Sequence, residues 1–462
     1  MDTGLTQARN TANDVHAIIR LMNEYSWALD NNDWDELRRC FAVPMQFLAS
    51  TMAPVRDVEV LIAGLSSRAG TFAHRRHMQS NGFVRVDGDR AFYTGNMMNP
   101  RVQAEKSDHE FFLAGGYYRN EFIRTDAGWK IAIKCWQDVY SEGGLPPAMQ
   151  KAGVAGYGSS AFPRVLDDLV DGATFGVVDE HASDRAADER MRVHDAIMRI
   201  FRAADGAQPA HGRVALAGNA TGQIAGKTIA GADALLAALD GKGAARLTHI
   251  TNEVIDLAGD NAEFASYFFV VTARPEGNAH TGGLLRATLV RDEGLWKATH
   301  LALDPLWARG EAAAPEPVHP IMLGAPLAVD DPASDDETAV VAQLHRLIWA
   351  LDGGSAERIE PLLDARARLE TGTDEVEGRA AVIQHLLDER AQTQLRQSYL
   401  FNPVVTIEGA EADARFYMLT RRAEADGAVK MFGGRLYASA RREGGRVRIT
   451  DLRFVTDFGP YA

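Results

Sequence analysis

Tyr25-Ser-Trp-Ala-Leu-Asp30 ends an apolar-periodic segment, and its last four residues return letter for letter as Trp349-Ala-Leu-Asp352. A weaker echo, Phe201-Arg-Ala-Ala-Asp205, lies between them. About fifty residues after each Asp comes an Asn seven positions before a Gly: Asn81 and Gly88, Asn252 and Gly259, Asn402 and Gly409. A Gly-Gly pair then opens a strand-like run at Gly115-Gly116, Gly282-Gly283 and Gly433-Gly434. An alternating closing strand follows at Gly128-Trp-Lys-Ile, Gly294-Leu-Trp-Lys and Gly445-Arg-Val-Arg. Four landmarks in one order, three times over, define three copies of one domain.

The 462 residues suit three domains, each large enough to bury its own core. A net charge of −14 without any basic block argues against nucleic acid as a partner. No apolar run reaches the roughly 18 residues of a membrane helix, and the N-terminus lacks a signal-peptide pattern. Two cysteines, Cys40 and Cys135, make no disulfide framework or CxxC pair, so a cytoplasmic setting is expected. No His/Asp/Glu set has metal-ligand spacing, and no glycine loop opens a strand–turn–helix unit. Neither metal nor cofactor is expected. The Gly-Gly pairs sit within strands, where they read as bulges that bend a sheet.

Along the first copy, Asn13 or Asp14 is positioned to cap a helix reaching Leu29, and Asn32 to cap a second. A short strand (Met45–Ala49) and a third helix (Val55–Ser67) precede strands at Met78–Val86, Arg90–Asn96, Glu110–Arg124 and Trp129–Asp138. The fold class is therefore α+β: three tandem cone-shaped domains, each with helices on a curved antiparallel sheet. The divisions are 1–145, a linker 146–189 with a possible short helix at Val165–Val170, a diverged copy 190–307, a linker 308–336, and 337–462.

This order of elements resembles the nuclear transport factor 2-like superfamily, and within it the SnoaL-like branch, which includes scytalone dehydratase, polyketide cyclases and lindane dehydrochlorinase. The first copy carries the resemblance most fully, in Leu29-Asp30, Arg76-His77-Met-Gln-Ser-Asn81, the Val86–Asp89 turn, Gly115–Tyr118 and Asp126–Ile131. The resemblance implies a catalytic dyad of Asp30 and His77. The corresponding positions hold Thr248 and Ser398 in the other copies, which keep Asp205 and Asp352 but lack the His. For those two aspartates a fold-keeping role is the better reading.

An imidazole gripped by a buried carboxylate keeps one nitrogen as donor and leaves the other as a base. That suits proton abstraction from an activated carbon, followed by elimination or isomerisation. The expected activity is thus a cofactor-independent lyase, dehydratase-like, or an isomerase; the alternatives are a non-catalytic binder of a hydrophobic metabolite or an assembly module. Tyr25 stands where dehydrochlorinase-like members place a Lys, which favours hydration–dehydration chemistry over halide loss. Lys134 stands where they place an Arg, as a partner for an oxyanion or leaving group. Along that strand Ile131, Ile133 and Cys135 alternate with Lys134, Trp136 and Asp138, and the sequence leaves open which set faces inward. His74, His109 and His300 read as surface residues. The first third holds nearly half of the aromatic residues, so a flat hydrophobic ligand, aromatic or polycyclic, is expected there, with Trp34, Tyr117, Lys134 and Trp136 as binding residues. Since dehydratases of this type are commonly trimers of one domain, the resemblance implies an intramolecular pseudo-trimer; a homodimer of strings of domains is the rival arrangement.

Overall fold

The computed structural model describes residues 3–49, 52–104, 111–143, 186–206, 209–240, 245–274, 277–310, 336–372, 374–423 and 428–461. The first domain runs α1 (Thr3–Asp30), α2 (Trp34–Cys40), β1 (Phe41–Ala49), β2 (Met52–Val55), α3 (Val58–Ser66), β3 (Phe72–Arg75), β4 (Met78–Asp87), β5 (Arg90–Gln103), β6 (Phe111–Thr125) and β7 (Gly128–Glu142). The second repeats this as α4 (Ala186–Ala204), α5 (Pro209–Val214), β8 (Leu216–Ile224), β9 (Lys227–Ala230), α6 (Ala232–Leu239), β10 (Arg246–Ala258), β11 (Asn261–Thr272), β12 (Ala279–Asp292) and β13 (Leu295–Arg309). The third has α7 (Asp336–Asp352), α8 (Ala356–Ile359), β14 (Leu363–Glu370), β15 (Glu375–Glu377), α9 (Arg379–Ala391), β16 (Leu395–Glu408), β17 (Glu411–Ala423), β18 (Val429–Glu443) and β19 (Arg446–Tyr461).

All three sheets share one order, β2-β1-β7-β6-β5 with β3 and β4 both on β5, β9-β8-β13-β12-β11-β10, and β15-β14-β19-β18-β17-β16. Neighbours are antiparallel except that the early strand of each domain runs parallel to its last one. The expected α+β class holds in each domain. The proposed helix at Val165–Val170, most of both linkers and His109 lie outside the described residues.

The double glycines are bulges, as their place in the strands predicts. The register slips between Gly115 and Gly116, between Gly282 and Gly283, and between Gly433 and Gly434. Each glycine of a pair has its own reason. A Cβ on the first would lie 2.2 Å from the Tyr140 ring, 2.4 Å from Trp307 or 1.9 Å from Phe458, and on the second about 2 Å from a neighbouring carbonyl oxygen.

Two expected caps are corrected. Asp14 lies inside α1, where its carboxylate accepts from Trp129 Nε1 (3.0 Å) and pairs with Arg124. The cap of α2 is Asp33, accepting from the Glu36 N–H, because Asn32 adopts φ 58° and is held by Arg75 instead.

The three domains are bound in a cycle by the three repeated asparagines. Asn81, Asn252 and Asn402 have φ of 56°, 54° and 52°, a left-handed conformation that Asn tolerates better than most residues. Each sits where its strand bulges, and its side-chain amide reaches the following domain in the cycle. Asn81 donates to Thr248 O (3.0 Å) and accepts from Ile250 N (2.8 Å). Asn252 does the same to Ser398 O (3.1 Å) and Leu400 N (2.8 Å). Asn402 accepts from Gln79 N (2.7 Å), which closes the ring. The first helices reinforce these links: Trp27 Nε1 donates to Asn402 O (3.0 Å), Trp349 Nε1 to Asn252 O (2.8 Å), and His194 Nε2 lies 2.8 Å from Gly82 O. A buried Arg76–Asp457 ion pair at 2.5 Å joins the first domain to the third. One apolar core runs through all three domains, with Met98, Tyr140, Phe269, Trp307 and Leu419 among its buried members.

Replacing Asn252 by Ala removes two buried interdomain hydrogen bonds and strains the left-handed backbone, so a loss of about 2–4 kcal/mol is expected in urea unfolding. Asn252→Gly should lose less, since glycine accepts the backbone geometry.

Candidate active site in the first domain

Asp30 is the last residue of α1, and His77 lies between β3 and β4. One carboxylate oxygen of Asp30 accepts the backbone N–H of His77 (2.7 Å); the other lies 2.5 Å from His77 Nδ1. The Asp30 side chain is wholly buried and that of His77 is 11% exposed. Burial works against the Asp30 charge, but His77, Arg75 and Arg76 outweigh it and hold the carboxyl below its ordinary value. Burial likewise pushes the His77 imidazole below its ordinary value, against the pull of Asp30. The resting pair is therefore a carboxylate and a neutral ring. A carboxylate can only accept, so Nδ1 carries the proton and Nε2 holds a free lone pair. Among the described residues Nε2 makes no hydrogen bond.

The sister domains separate the fold-keeping part of this arrangement from the chemical part. Asp205 accepts from both the backbone N–H (2.7 Å) and the hydroxyl (2.6 Å) of Thr248. Asp352 accepts from the same two groups of Ser398, at 2.6 and 3.0 Å. All three carboxylates thus tie the end of a helix to the start of a strand, and only in the first domain is the second donor a ring with a basic nitrogen to spare. Burial raises Asp205 to about 6, despite Arg246 and Thr248, and raises Asp352 as well.

An arginine stands two residues before each of these strand positions, and sequence reasoning missed it. Arg75, Arg246 and Arg396 lie 3.8, 3.5 and 3.4 Å from Asp30, Asp205 and Asp352. Their constant spacing of six residues before Asn81, Asn252 and Asn402 was the available signal.

Tyr25 and Tyr118, with Tyr417 of the third domain, form an aromatic wall close to Asp30. Tyr25, Tyr93, Tyr118, Phe122 and Trp136 belong to the first domain's own core, with half-buried Trp34 packed against it. Tyr25 is raised above its ordinary value by burial, and the nearby Asp30 adds to the shift. Lys134, Trp136 and Asp138 are buried, but so are Ile131 and Cys135 of the alternating set, because both faces of this strand are covered and a bulge lies between Ile131 and Ile133. Tyr117 is corrected: strand alternation after the Gly115–Gly116 bulge sends it to the interdomain core, under Arg119, and Tyr118 faces the dyad's side. His249, beside the strand position of the second copy, is buried at the first–second domain junction, 2.9 Å from Ser80 Oγ. His300 is exposed.

Lys134 is the outlier of this core. Register places it where the other domains have buried leucines, Leu301 and Leu452. Its Nζ is buried, has no hydrogen-bond partner, and sits 2.8 Å from the Tyr118 ring centroid and 4.9 Å from that of Tyr25. Burial drives its pKa well below the ordinary value, which disfavours the charged form. Among the described residues no cluster of three or more His, Cys, Asp or Glu is placed to hold a metal, and no helix is long and apolar enough to cross a membrane.

Three repeats of this fold agree with what comparison with known proteins finds. The SnoaL-like domain family matches residues 10–133, 185–302 and 332–453, so the chain belongs to that family three times over. An uncharacterized protein of Mycobacterium tuberculosis is 33% identical over 125 residues, which are 26% of this chain and 84% of the relative; an uncharacterized protein of Mycobacterium bovis matches equally. Similar solved structures include the Kfla4162 protein of Kribbella flavida (24% identity, 29% of this chain and 95% of that one, TM-score 0.27). A putative scytalone dehydratase from Novosphingobium aromaticivorans is also similar (19%, 31% and 91%, TM-score 0.27). The SnoaL-like and nuclear transport factor 2-like proteins include dehydratases and isomerases.

An unpartnered amine in a closed core costs about 1–3 kcal/mol. Lys134→Leu should therefore raise stability at pH 7, measured by urea unfolding. The folded chain releases the Lys134 proton at lower pH than the unfolded chain does, so its stability should climb as pH rises from the lowered folded pKa toward 10.5. The Leu variant should lack that rise.

Proposed function

We propose that the first domain is a cofactor-independent lyase, of dehydratase type, or an isomerase, acting on a hydrophobic, aromatic or polycyclic small molecule. The observation that carries this reading is His77, with Nδ1 held 2.5 Å from Asp30 and Nε2 unengaged. Nε2 takes a proton from a carbon made acidic by a neighbouring carbonyl or ring. Asp30 stabilises the imidazolium that forms. The proton then returns to a departing hydroxyl, giving dehydration, or to another carbon, giving isomerisation. Tyr25, Tyr118 and the Lys134 amine supply donors for the oxygen that gains charge. The aromatic wall, richer here than in the sister domains, supports a flat apolar substrate. The second and third domains act as scaffold, and the chain works as a monomeric pseudo-trimer.

His77→Thr copies the clamp that Thr248 makes, so it should keep the fold while lowering kcat/KM by about 10²–10⁴-fold. Full activity in that variant would exclude the site; retained ligand affinity with no turnover even in the wild type would favour a binding protein. The base must be unprotonated, and burial depresses its pKa. The acidic limb of kcat/KM should therefore fall below pH 6.5, with a plateau through neutrality.

A further inference from the structure

A cavity of about 340 Å³ lies where the three domains meet, and none of Asp30, His77, Tyr25 or Lys134 lines it. Its floor is formed by the three asparagine bulges, and its walls by the middle of α1 (His16 to Asn23), the start of α4 (Arg190 to His194) and the first part of α7 (Glu337 to Arg346). A cavity of this size is within the range that holds a small organic molecule. It exists only because the three domains close into a ring, since each contributes one helix and one bulge.

The lining has two chemical parts. Ile19, Ile250, Ile255, Val341, Leu400 and Val405 make an apolar body from all three domains. Around it, each helix or its N-terminal flank adds two basic side chains: His16 and Arg20, Arg190 and His194, His345 and Arg346. Arg442 and the exposed Arg446, from the last hairpin of the third domain, extend the basic surface. The acidic side chains of the lining are Glu253 and Glu337, and both are engaged: Glu253 lies 2.7 Å from His194 Nδ1, and Glu337 2.9 Å from Arg20. Asp256, outside the lining, lies 3.7 Å from Arg346. The five lining arginines outnumber by one the four carboxylates set against the basic lining, which are Glu253, Glu337, Glu24 beside Arg20 and Asp256 beside Arg190 and Arg346, so the cavity is locally cationic in a chain whose net charge is −14. Such a local reversal of sign draws anions, and the apolar body excludes small hydrated ones.

We propose that this central cavity binds an amphipathic organic carboxylate, its apolar body among the Ile, Val and Leu side chains and its charge toward Arg190 and Arg346. An aliphatic chain and a fused aromatic ring share this chemistry. A ligand there touches all three domains at once and stabilises the ring by mass action.

The test is calorimetric titration of the full chain with decanoate, 2-naphthoate and uncharged decanol, with a thermal melt alongside. At least one carboxylate should bind with one-to-one stoichiometry and raise the melting temperature, while decanol binds at least tenfold more weakly. Val341→Trp, which fills the cavity, should weaken binding by tenfold or more, whereas His77→Thr should leave it unchanged. If Val341→Trp fails to fold, Ala342→Leu serves as a smaller plug. Binding that vanishes in His77→Thr but survives the plug would place the ligand in the first domain's cone and overturn the proposal. Equal affinity for decanol, or no binding by either carboxylate, would overturn it as well.

Discussion

The arrangement of the three domains depends on a side-chain amide doing the work of a strand edge. At Asn81, Asn252 and Asn402 the backbone turns left-handed, the strand bulges, and the amide presents a donor and an acceptor outward. In the first two links the neighbouring strand offers the matching backbone carbonyl and N–H two residues apart. An amide in this position is selective: a shift of one residue would pair donor with donor. Each contact is modest alone, but all are buried, and a buried polar group left unpaired costs more than the bond contributes. The cycle therefore has one low-energy register.

That register positions everything else. Trp27 and Trp349 can donate to Asn402 O and Asn252 O only because the bulges expose those carbonyls. The strand that begins after His77 is pinned from one side by Asp30 and from the other by Asn402, through Gln79 N. The imidazole is thus held at a junction of the first and third domains, near the buried Arg76–Asp457 pair. Rigid support of this kind is what a general base requires.

Comparing the three domains divides structural from chemical roles more sharply than one domain could. The helix-ending aspartate, the arginine two residues before the strand position, the asparagine bulge and the double glycine recur in all three, although Asn402 links its neighbour through its carbonyl oxygen alone. At the matching positions near this clamp the first domain has His77 for Thr248 and Ser398, and Lys134 for Leu301 and Leu452. A hydroxyl completes the clamp as well as an imidazole does. A leucine fills the core better than an amine that finds no partner. Both departures bury an ionisable nitrogen where the sister domains have a hydroxyl or a leucine, a pattern that supports the function proposed for the first domain.

Beyond the Asp30–His77 pair, which the family resemblance implied, the sequence by itself determined the number of domains, their α+β class and the bulges at the double glycines. Those features rest on local signals, on residue types that backbone geometry demands, or on spacing repeated in three copies. It also contained the arginine spacing, although one copy read alone gives no reason to notice it. Only the tertiary structure decided which face each residue takes. The bulges at Gly115–Gly116 and near Ile131 change the strand phase, so Tyr117 left the cone and Lys134 entered it. Only the tertiary structure, too, showed that the asparagines join domains and that their meeting place encloses a cationic cavity. Those contacts link residues more than a hundred positions apart, and no local pattern of polarity or turn chemistry encodes which strand a side-chain amide will meet.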